Sequence, residues 1–450
     1  MGSLHDTIAA LATPAGTAAI AVLRASGPDV ASLTQAIFGE SPTRRMARHA
    51  DYRDGRGELL DDVLFTFFAG PNSYTGEDTL EISCHGNPFI AQKILEDLLA
   101  RGCRAAEPGE FTKRAFLSGR IDLSQAEAVM DLIHARSERA LAAANRQLRG
   151  SLGRRMEELV ALLLRNLAEI EAYIDFPDED LPAENRAALI DRLKELRAKT
   201  QRLAATNHYG QILRDGIRTV IIGEPNAGKS SLLNRLVGRE RALVSSEPGT
   251  TRDYIEETIS LGQHALRLVD TAGLNPQAGI LERRGIEKTL EQAEDADIFL
   301  WVIDATAGKL PPLPAPLRDR LSAANSVVVF NKVDACPEFC PPKVFSNEVA
   351  VSALRGDGVE ELVAALEARA ESFRTDLGED WVAINARHAY ALKRAEGALE
   401  AAIGGLVVGL SSELVASHLR DSLIALGEIA GRVDNERILD VLFSSFCIGK

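Results

Sequence analysis

Cysteine, aromatic residues and long apolar runs are all scarce in this chain of 450 residues. The five cysteines are an odd number without framework spacing, which excludes a disulfide-stapled secreted domain and predicts a reducing compartment. No apolar run approaches the roughly 18 residues that a membrane span needs. The first residues also lack the basic and apolar segments of a secretory signal. We therefore expect a cytoplasmic protein that makes no use of a membrane.

Positive charge is in deficit as well, because the formal net charge is −14. An acidic chain is poorly suited to gripping a long polyanion by itself, so a nucleic-acid partner would require a local basic patch or a basic partner protein. Hydrophobic residues make up 46% of the chain and aromatic residues 5%, which is typical of a soluble, helix-rich protein. The length predicts two or three domains.

The N-terminal part, residues 1–118, alternates short apolar runs with turns and predicts a small α+β domain. Strands are expected at 18–23, 63–68 and 80–83, and a helix at 90–100. Residues 119–215 change to helical spacing. Here Ser124 and Glu127 form a possible capping box at a helix start, a second helix opens at Ser151, and a third covers 187–205.

Residues 216–376 alternate short buried strands with helices, which is the pattern of a doubly wound α/β domain. The predicted strands are 219–222, 265–269, 298–303, 327–330 and 349–351. Residues 377–450 return to helical spacing and end in a Cys-Ile-Gly-Lys tail. The fold predicted is a multidomain α/β protein: an N-terminal α+β domain, a helical domain built from 119–215 and 377–450, and a doubly wound α/β domain inserted into it.

Three segments of the inserted domain predict a guanine-nucleotide site. The segment from Gly223 to Ser230 is a phosphate-binding loop, whose glycines let backbone N–H groups face phosphates. Lys229 adds a cation, and the Ser230 hydroxyl is a magnesium ligand. The second segment opens with Asp270, which serves the magnesium shell. In the third, the Asp334 carboxylate accepts hydrogen bonds from N1–H and the amine of guanine, whereas adenine would leave it unpaired.

The loops around these segments suggest how the site switches. Thr251 lies between the phosphate loop and Asp270 and is predicted to complete the magnesium shell when GTP is bound. Leu274 stands where many small GTPases have a water-orienting glutamine, so another group must hold the water. Glu282, which begins a helix predicted over 282–294, reaches the water indirectly in one interpretation; in the other it is an ordinary helix-starting carboxylate.

With these residues assembled, the chain resembles the MnmE (TrmE) family of tRNA modification GTPases over its full length. The matching N-terminal segments are 6–8, 12–14, 74–78, 106–111 and 122–128, and the matching C-terminal segment is 446–450. The resemblance implies GTP contacts from Asn226, Ala227, Gly228, Lys229, Ser230, Ser231, Ser245, Ser246, Glu247, Pro248, Gly249, Thr250, Thr251, Asp270, Thr271, Ala272, Gly273, Asn331, Lys332, Asp334, Ser352 and Ala353.

The resemblance also implies ions and catalytic groups. Potassium replaces an arginine finger and is held by Asn226, Ser245, Glu247 and Thr250, while Mg²⁺ is held by Ser230 and Thr251. Glu282 and Lys229 act in GTP hydrolysis, so Glu282 explains how Leu274 is tolerated. The GTP-binding domains of a homodimer meet during this reaction.

A folate site and a partner follow from the same resemblance. Arg24, Glu81, Arg120 and Lys450 match the positions that bind a tetrahydrofolate derivative, in its 5-formyl or methylene form. Position 120 is often lysine in the family, so the arginine here changes the donor geometry. Cys447 matches the family's tail cysteine. The implied reaction joins this chain to MnmG, which carries FAD, and adds a carboxymethylaminomethyl-type group to C5 of the wobble uridine of certain tRNAs.

The alternative is a ribosome-assembly GTPase, a regulatory RNA-associated switch without modification chemistry. The folate-type N-terminal domain and the Cys447 tail favour the modification enzyme. A basic RNA-binding domain after the GTPase domain would have favoured the switch, and the sequence shows none.

Overall fold

A computed structural model describes residues 6–39, 43–175, 186–240, 256–271, 289–345, 347–373, 382–431, 442–444 and 446–449. By contact density the chain forms two compact units. The first contains Met1–Met130, Leu148–Ala161 and Leu423–Lys450, and the second contains Asp131–Gln147 and Leu162–Ser422. None of the described helices combines the length and apolar character needed to cross a membrane.

The first unit is organised by a six-stranded sheet in the order β3-β4-β5-β2-β1-β6. Its neighbours pair antiparallel except β1 and β6, which are parallel. The strands are β1 Ile8–Leu11, β2 Ile20–Ser26, β3 Ala47–Arg53, β4 Leu59–Phe68, β5 Thr79–His85 and β6 Arg104–Ala105. The three strands expected from the sequence are therefore confirmed as parts of β2, β4 and β5.

Helices α1 Val30–Phe38 and α2 Pro88–Ala100 contribute to the apolar core on one face of this sheet. Alternate residues of the strands, such as Leu23, Phe65 and Ile82, point into that core because side chains alternate across a strand. α2 begins where Asn87 caps the Phe89 N–H and proline occupies the first turn. The helix predicted over 90–100 is confirmed.

The helices that follow are α3 Glu110–Leu117, α4 Leu123–His134, α5 Glu138–Leu148, α6 Ser151–Asp175, α7 Arg186–Ala204 and α8 Asn207–Asp215. The expected helices from Ser151 and over 187–205 are confirmed, but the capping box of α4 was placed wrongly. Asp122 Oδ1 accepts the Gln125 N–H at 2.8 Å, and the Gln125 side chain accepts the Asp122 N–H at 2.9 Å. The box is two residues earlier because Ser124 is fully buried inside the helix.

The second unit contains a six-stranded sheet in the order β12-β11-β10-β7-β9-β8. All neighbours are parallel except β8 and β9. The strands are β7 Ile217–Ile222, β8 Glu256–Leu261, β9 His264–Asp270, β10 Ile298–Asp304, β11 Ser326–Asn331 and β12 Glu348–Val351. The five predicted strands are confirmed, and so is the doubly wound fold class.

Further helices are α9 Lys229–Glu240, α10 Ala315–Arg318, α11 Val359–Glu371, α12 Ala386–Val408 and α13 Ser412–Ala430, and the described residues 289–294 and 442–444 are helical as well. α12 begins at a capping box in which Asn385 and His388 bond each other's backbone N–H. It packs along α7, where Gln201 Nε2 bonds Glu396 Oε1 at 2.5 Å. α7 and α12, which lie before and after the sheet domain in the chain, therefore contact each other.

Candidate functional site

The phosphate loop lies between β7 and α9, in the middle of the second sheet. β7 has β9 on one side and β10 on the other, so the strand order reverses at this point. Ligands of open α/β sheets bind at such a switch point, outside the carboxyl ends of the strands. The loop leads directly into the N-terminus of α9, where unpaired N–H groups and the helix dipole favour phosphate.

Two glycines of this loop have no room for a side chain. Gly223 has a φ of +154°, and a Cβ there would lie 2.2 Å from the Val302 carbonyl oxygen. Gly228 has a φ of +90°, and its Cβ would lie 2.2 Å from Asn331 Nδ2. The loop therefore passes close to the neighbouring strands and keeps its backbone available to a ligand.

Lys229 folds back over the loop that precedes it. Its ammonium donates to the carbonyl oxygens of Gly223 at 3.2 Å and Glu224 at 3.0 Å. Burial lowers the pKa of Lys229 below its usual value, and the nearby Asp270 carboxylate opposes that shift. The position suits a cation that compensates phosphate charge.

Ser230 and Asp270 meet on the magnesium side of the loop. The Ser230 hydroxyl donates to Asp270 Oδ2 at 2.7 Å. Asp270 Oδ1 is buried and has no hydrogen-bond partner among the described residues. A hydroxyl and a buried carboxylate oxygen are ligands that suit a hard cation such as Mg²⁺. Thr271 anchors this end of β9, since its hydroxyl donates to the Ile221 carbonyl at 2.6 Å.

The guanine-side segment begins at the last residue of β11. Asn331 is 2% exposed; its Nδ2 donates to the Ala227 carbonyl at 2.9 Å, and its Oδ1 accepts the Ala353 N–H at 3.0 Å. One side chain thus ties the phosphate loop to the loop that follows β12. Removing either bond would leave a buried polar group unpaired, which costs about 1–3 kcal/mol of folding stability.

Lys332 adopts a left-handed conformation, with a φ of +67°, and donates to Asp304 Oδ2 at 2.7 Å. Burial raises the pKa of Asp304, but the bonds from Lys332 and from Thr306 outweigh it, so the pKa lies below its usual value. Asp334 follows in a short 3-10 helix, Val333–Ala335. Asp304 was not predicted from the sequence, although its place at the end of an apolar strand is a usable signal.

Several predicted residues of this site lie outside the described part of the chain. They are Ser245, Ser246, Glu247, Pro248, Gly249, Thr250, Thr251, Ala272, Gly273 and Glu282. Of the predicted potassium ligands, Asn226 alone is described. It is exposed within the phosphate loop, with a φ of +62°.

A second polar site lies in the first unit, where β2 and β5 place Arg24 directly opposite Glu81. The Arg24 guanidinium donates to Glu81 Oε1 at 2.9 Å from Nε and 2.7 Å from Nη2. Its Cζ lies 5.7 Å from the ring centre of Tyr74 and 5.6 Å from that of Phe111. The two rings were not predicted as site residues, although both belong to segments that carry the family resemblance.

The C-terminal tail is docked beside this pair. Arg24 Nη1 donates to the Gly449 carbonyl at 3.3 Å, and the Gly109 N–H donates to the Cys447 carbonyl at 3.3 Å. Gly449 has a φ of +96°, and a Cβ there would lie 2.4 Å from the Leu11 carbonyl oxygen. Cys447 itself is exposed. The structure therefore brings Arg24, Glu81 and the tail backbone together across the length of the chain.

Arg120 lies next to Gly76, in the segment that contains Tyr74: a Cβ on Gly76 would be 3.4 Å from Arg120 Cγ. Among the described residues, Arg120 makes no direct bond to Arg24 or Glu81. Lys450, the last of the predicted folate residues, is outside the described residues.

The doubly wound sheet, its phosphate loop and its guanine-type segment define a P-loop GTP-binding protein. Two family models match the chain: "GTP-binding protein TrmE N-terminus" over residues 7–120 and "MnmE helical domain" over residues 123–447. The chain belongs to the MnmE (TrmE) family, as the sequence motifs predicted.

Relatives that align over complete chains agree with this assignment. The tRNA modification GTPase MnmE of Opitutus terrae is 57% identical over 453 residues, covering 100% of both chains. The proteins of the same name from Akkermansia muciniphila and Geotalea uraniireducens are 45% and 42% identical, and each alignment covers 99% of this chain and 99% or 100% of the relative.

Proposed function

We propose that this chain is a potassium-activated GTPase that works with the FAD-dependent protein MnmG on tRNA. Together they add a carboxymethylaminomethyl-type group to C5 of the wobble uridine, with a tetrahydrofolate derivative as the one-carbon donor. The proposal includes a cytoplasmic homodimer within a heterotetramer-like complex with MnmG. The name shared by the relatives, tRNA modification GTPase, supports the substrate class.

The observation that carries this proposal is the docking of the tail beside Arg24 and Glu81. A GTP-dependent switch needs a nucleotide site alone. This chain also builds a second polar site from residues 425 positions apart, Arg24 and Gly449. A folded connection of that kind is expected when the tail serves chemistry at the site.

In GTP hydrolysis, the chain's own groups bind and orient the phosphates. Lys229 and the N–H groups of the loop receive the phosphate oxygens, and Ser230 with Thr251 would hold Mg²⁺ next to Asp270. When bound, Mg²⁺ neutralises charge on the terminal phosphates. Asn331 keeps the loop in register with the base-binding segment, so that a GTP molecule is held at both ends.

Potassium is proposed to bind Asn226, Ser245, Glu247 and Thr250, and to supply the positive charge of an arginine finger. Asn226 is exposed and has a left-handed φ of +62°, so its side chain is accessible to an ion, which supports this role. Glu282 is proposed to orient the attacking water indirectly, because Leu274 has no polar group to do so.

For the folate site, the residues present suit a flat heterocycle that carries amine and carbonyl groups. Tyr74 offers a partly exposed ring, Glu81 offers carboxylate acceptors, and Arg24, which rests against the buried Phe111 ring, offers donors. When bound, the tetrahydrofolate derivative supplies one carbon. Arg120 and Lys450 complete the proposed set, and Cys447 is proposed as a nucleophile or proton donor near that carbon or the uridine.

The domain division proposed for this function is 1–118 for folate, 119–215 with 377–450 for the helical domain, and 216–376 for GTP. Because this division places the GTP segments and the tail in different domains, GTP hydrolysis and the role of the tail are tested with separate variants.

The test is analysis of wobble uridines in tRNA from cells that lack the gene, complemented with three forms of the protein. Wild type should restore the modified uridine. Lys229→Ala should fail because GTP hydrolysis is lost. Cys447→Ser should hydrolyse GTP and dimerise normally in vitro, yet leave the uridine unmodified. Normal modification in the deleted cells refutes the function, and normal modification with Cys447→Ser refutes the role of that thiol.

A further inference from the structure

Arg235 reaches from the middle of α9 to the loop that follows β12. Its Nε donates to the Ala353 carbonyl at 3.2 Å, and its Nη2 donates to the Leu354 carbonyl at 2.6 Å. Bonds from a charged donor are roughly twice as strong as neutral ones. Two successive carbonyls of the loop are therefore fixed by one planar group, which restrains the orientation of both peptides.

The loop is shaped to receive this guanidinium. Gly356 has a φ of +96°, and a Cβ there would lie 3.4 Å from Arg235 Cζ. The loop also closes on itself, since the Gly356 N–H donates to the Ser352 carbonyl at 2.7 Å and the Ser352 N–H to the Asp357 carbonyl at 2.9 Å. The guanidinium thus lies over a tight turn that has a glycine beneath it.

Ala353 is held from two sides. Asn331 accepts its N–H at 3.0 Å, and Arg235 bonds its carbonyl at 3.2 Å. The N–H groups of Ser352 and Ala353 are already used, by the Asp357 carbonyl and by Asn331. The Leu354 N–H is the next one along the loop, and the direction of its peptide is set by Asn331 of β11 and Arg235 of α9 together with the loop.

α9 carries Lys229 and Ser230 at its start and Arg235 six positions later, about 9 Å along the axis. One rigid helix thus spans from the phosphate end of the site to its base end. A cavity of about 550 Å³ lies along this side of α9 and is lined, among others, by Ser231, Asn234, Arg235 and Ala353. Ser231 and Ala353 are both predicted GTP contacts.

We propose that Arg235 is a positioning residue for guanine recognition, holding the Ala353–Leu354 segment so that the Leu354 N–H faces the guanine carbonyl. The inference rests on the proposed GTP function and deepens it. It predicts a contribution to base selectivity that is separate from the phosphate chemistry, because Arg235 bonds the base loop and makes no bond to the phosphate loop in the described residues.

The test compares Arg235→Met and Arg235→Lys with Arg239→Met in the full chain. Arg239 is the matched control, one turn further along α9, where its exposed guanidinium pairs with exposed Glu360 at 2.9 Å. The measurements are the Kd of a fluorescent GDP, the inhibition constant of ATP, and kcat at saturating GTP.

Arg235→Met should raise the Kd for GDP about tenfold or more, since two charge-assisted bonds are lost. The ATP constant and kcat should change less than about twofold, so the preference for guanine falls. Arg235→Lys should recover part of the loss through one donor. Arg239→Met should behave as wild type.

Unchanged GDP affinity in Arg235→Met overturns the inference, and so does a loss shared equally by GDP and ATP. If Arg235→Met fails to fold, the inference is tested with Arg235→Lys alone. The preference of that variant for GDP over ATP must then be weaker than that of wild type. A wild-type protein that binds ATP as well as GTP would refute the GTP function itself, which is a different result from either of these.

Discussion

Replacing Arg114 with methionine tests the ionic cluster that joins β1, α3 and the loop before β5. The side chain of Arg114 is 3% exposed. It donates to Asp6 Oδ1 at 2.6 Å, to Glu110 Oε1 at 3.0 Å and to Glu77 Oε2 at 3.1 Å. Methionine keeps the apolar stem but leaves three carboxylates without this partner. The result should be a large loss of stability in the first unit.

The size of the stability loss in Arg114→Met depends on how deeply the ion pairs are buried and on which bonds remain in the variant. Breaking a buried ion pair by removing one partner costs about 3–5 kcal/mol. Arg104 still bonds Asp6 at 2.6 Å and Glu110 at 2.5 Å, so neither is left wholly unpaired. We therefore expect about 3 kcal/mol at neutral pH, the lower end of that range.

The loss should depend on pH with a definite sign. Bonds from Arg104 lower the pKa of Asp6 against the effect of burial, and Arg114 adds to them. Burial raises the pKa of Glu110, but bonds from Arg104, the Glu107 N–H and Arg114 outweigh it. Folded pKa values below the unfolded ones stabilise the protein above about pH 4, and that contribution is lost as pH falls through the folded values. The deficit of the variant should therefore be largest near pH 7 and shrink in acid.

Trp301 lies on β10 in the second unit, so its fluorescence does not report on the first unit directly. Hydrogen exchange on peptides that cover β1 and α3 reports it directly. Arg53→Met is the control, since Arg53 pairs with Asp51 where both side chains are about half exposed; it should cost less than about 0.5 kcal/mol. A deficit below about 1 kcal/mol at pH 7, or one that does not shrink in acid, would refute the reasoning.

Three further predictions concern the nucleotide site. Asp334→Asn should shift the preference of the protein from GTP toward xanthosine triphosphate, because a donor replaces an acceptor; competition binding measures this, and an unchanged preference for guanine contradicts it. Asn226→Ala should abolish the acceleration of hydrolysis by potassium over sodium, measured as phosphate release; a wild-type enzyme indifferent to the ion rejects that mechanism. Glu282→Ala should lower kcat and leave GTP affinity nearly unchanged, whereas a large loss of affinity would indicate a structural role at the helix start.

Local signals in the sequence were sufficient where one short segment determines its own structure. The short, mostly apolar run before Gly223 predicts a strand that is covered on both faces, as in a parallel sheet. In the structure every residue from Thr219 to Ile222 is indeed buried. The same reasoning located the strand ends at Asp270 and Asn331 within a residue or two. The helix from Ser151 follows from its apolar stripe, which supplies buried residues such as Leu152, Leu159 and Leu163.

Local signals failed at the start of α4, where two pairs of residues have the spacing of a capping box. Ser124 and Glu127 have the spacing of a capping box, and so do Asp122 and Gln125. Spacing cannot distinguish them, because the outcome depends on which side chain remains outside the helix. Packing decides it: Ser124 and Glu127 are buried, which leaves Asp122 to cap the helix.

The sequence by itself determined that the chain binds a guanine nucleotide and belongs to this family, because the phosphate loop, Asp270 and the segment from Asn331 to Asp334 are each contiguous motifs. The tertiary structure alone decided how distant residues cooperate. The Asn331 bridge joins residues 104 positions apart, Arg235 bonds a carbonyl 119 positions away, and Arg24 bonds one 425 positions away. A single chain position carries no signal of such a bond, because the bond exists only after sheets and helices bring the partners within 3.5 Å.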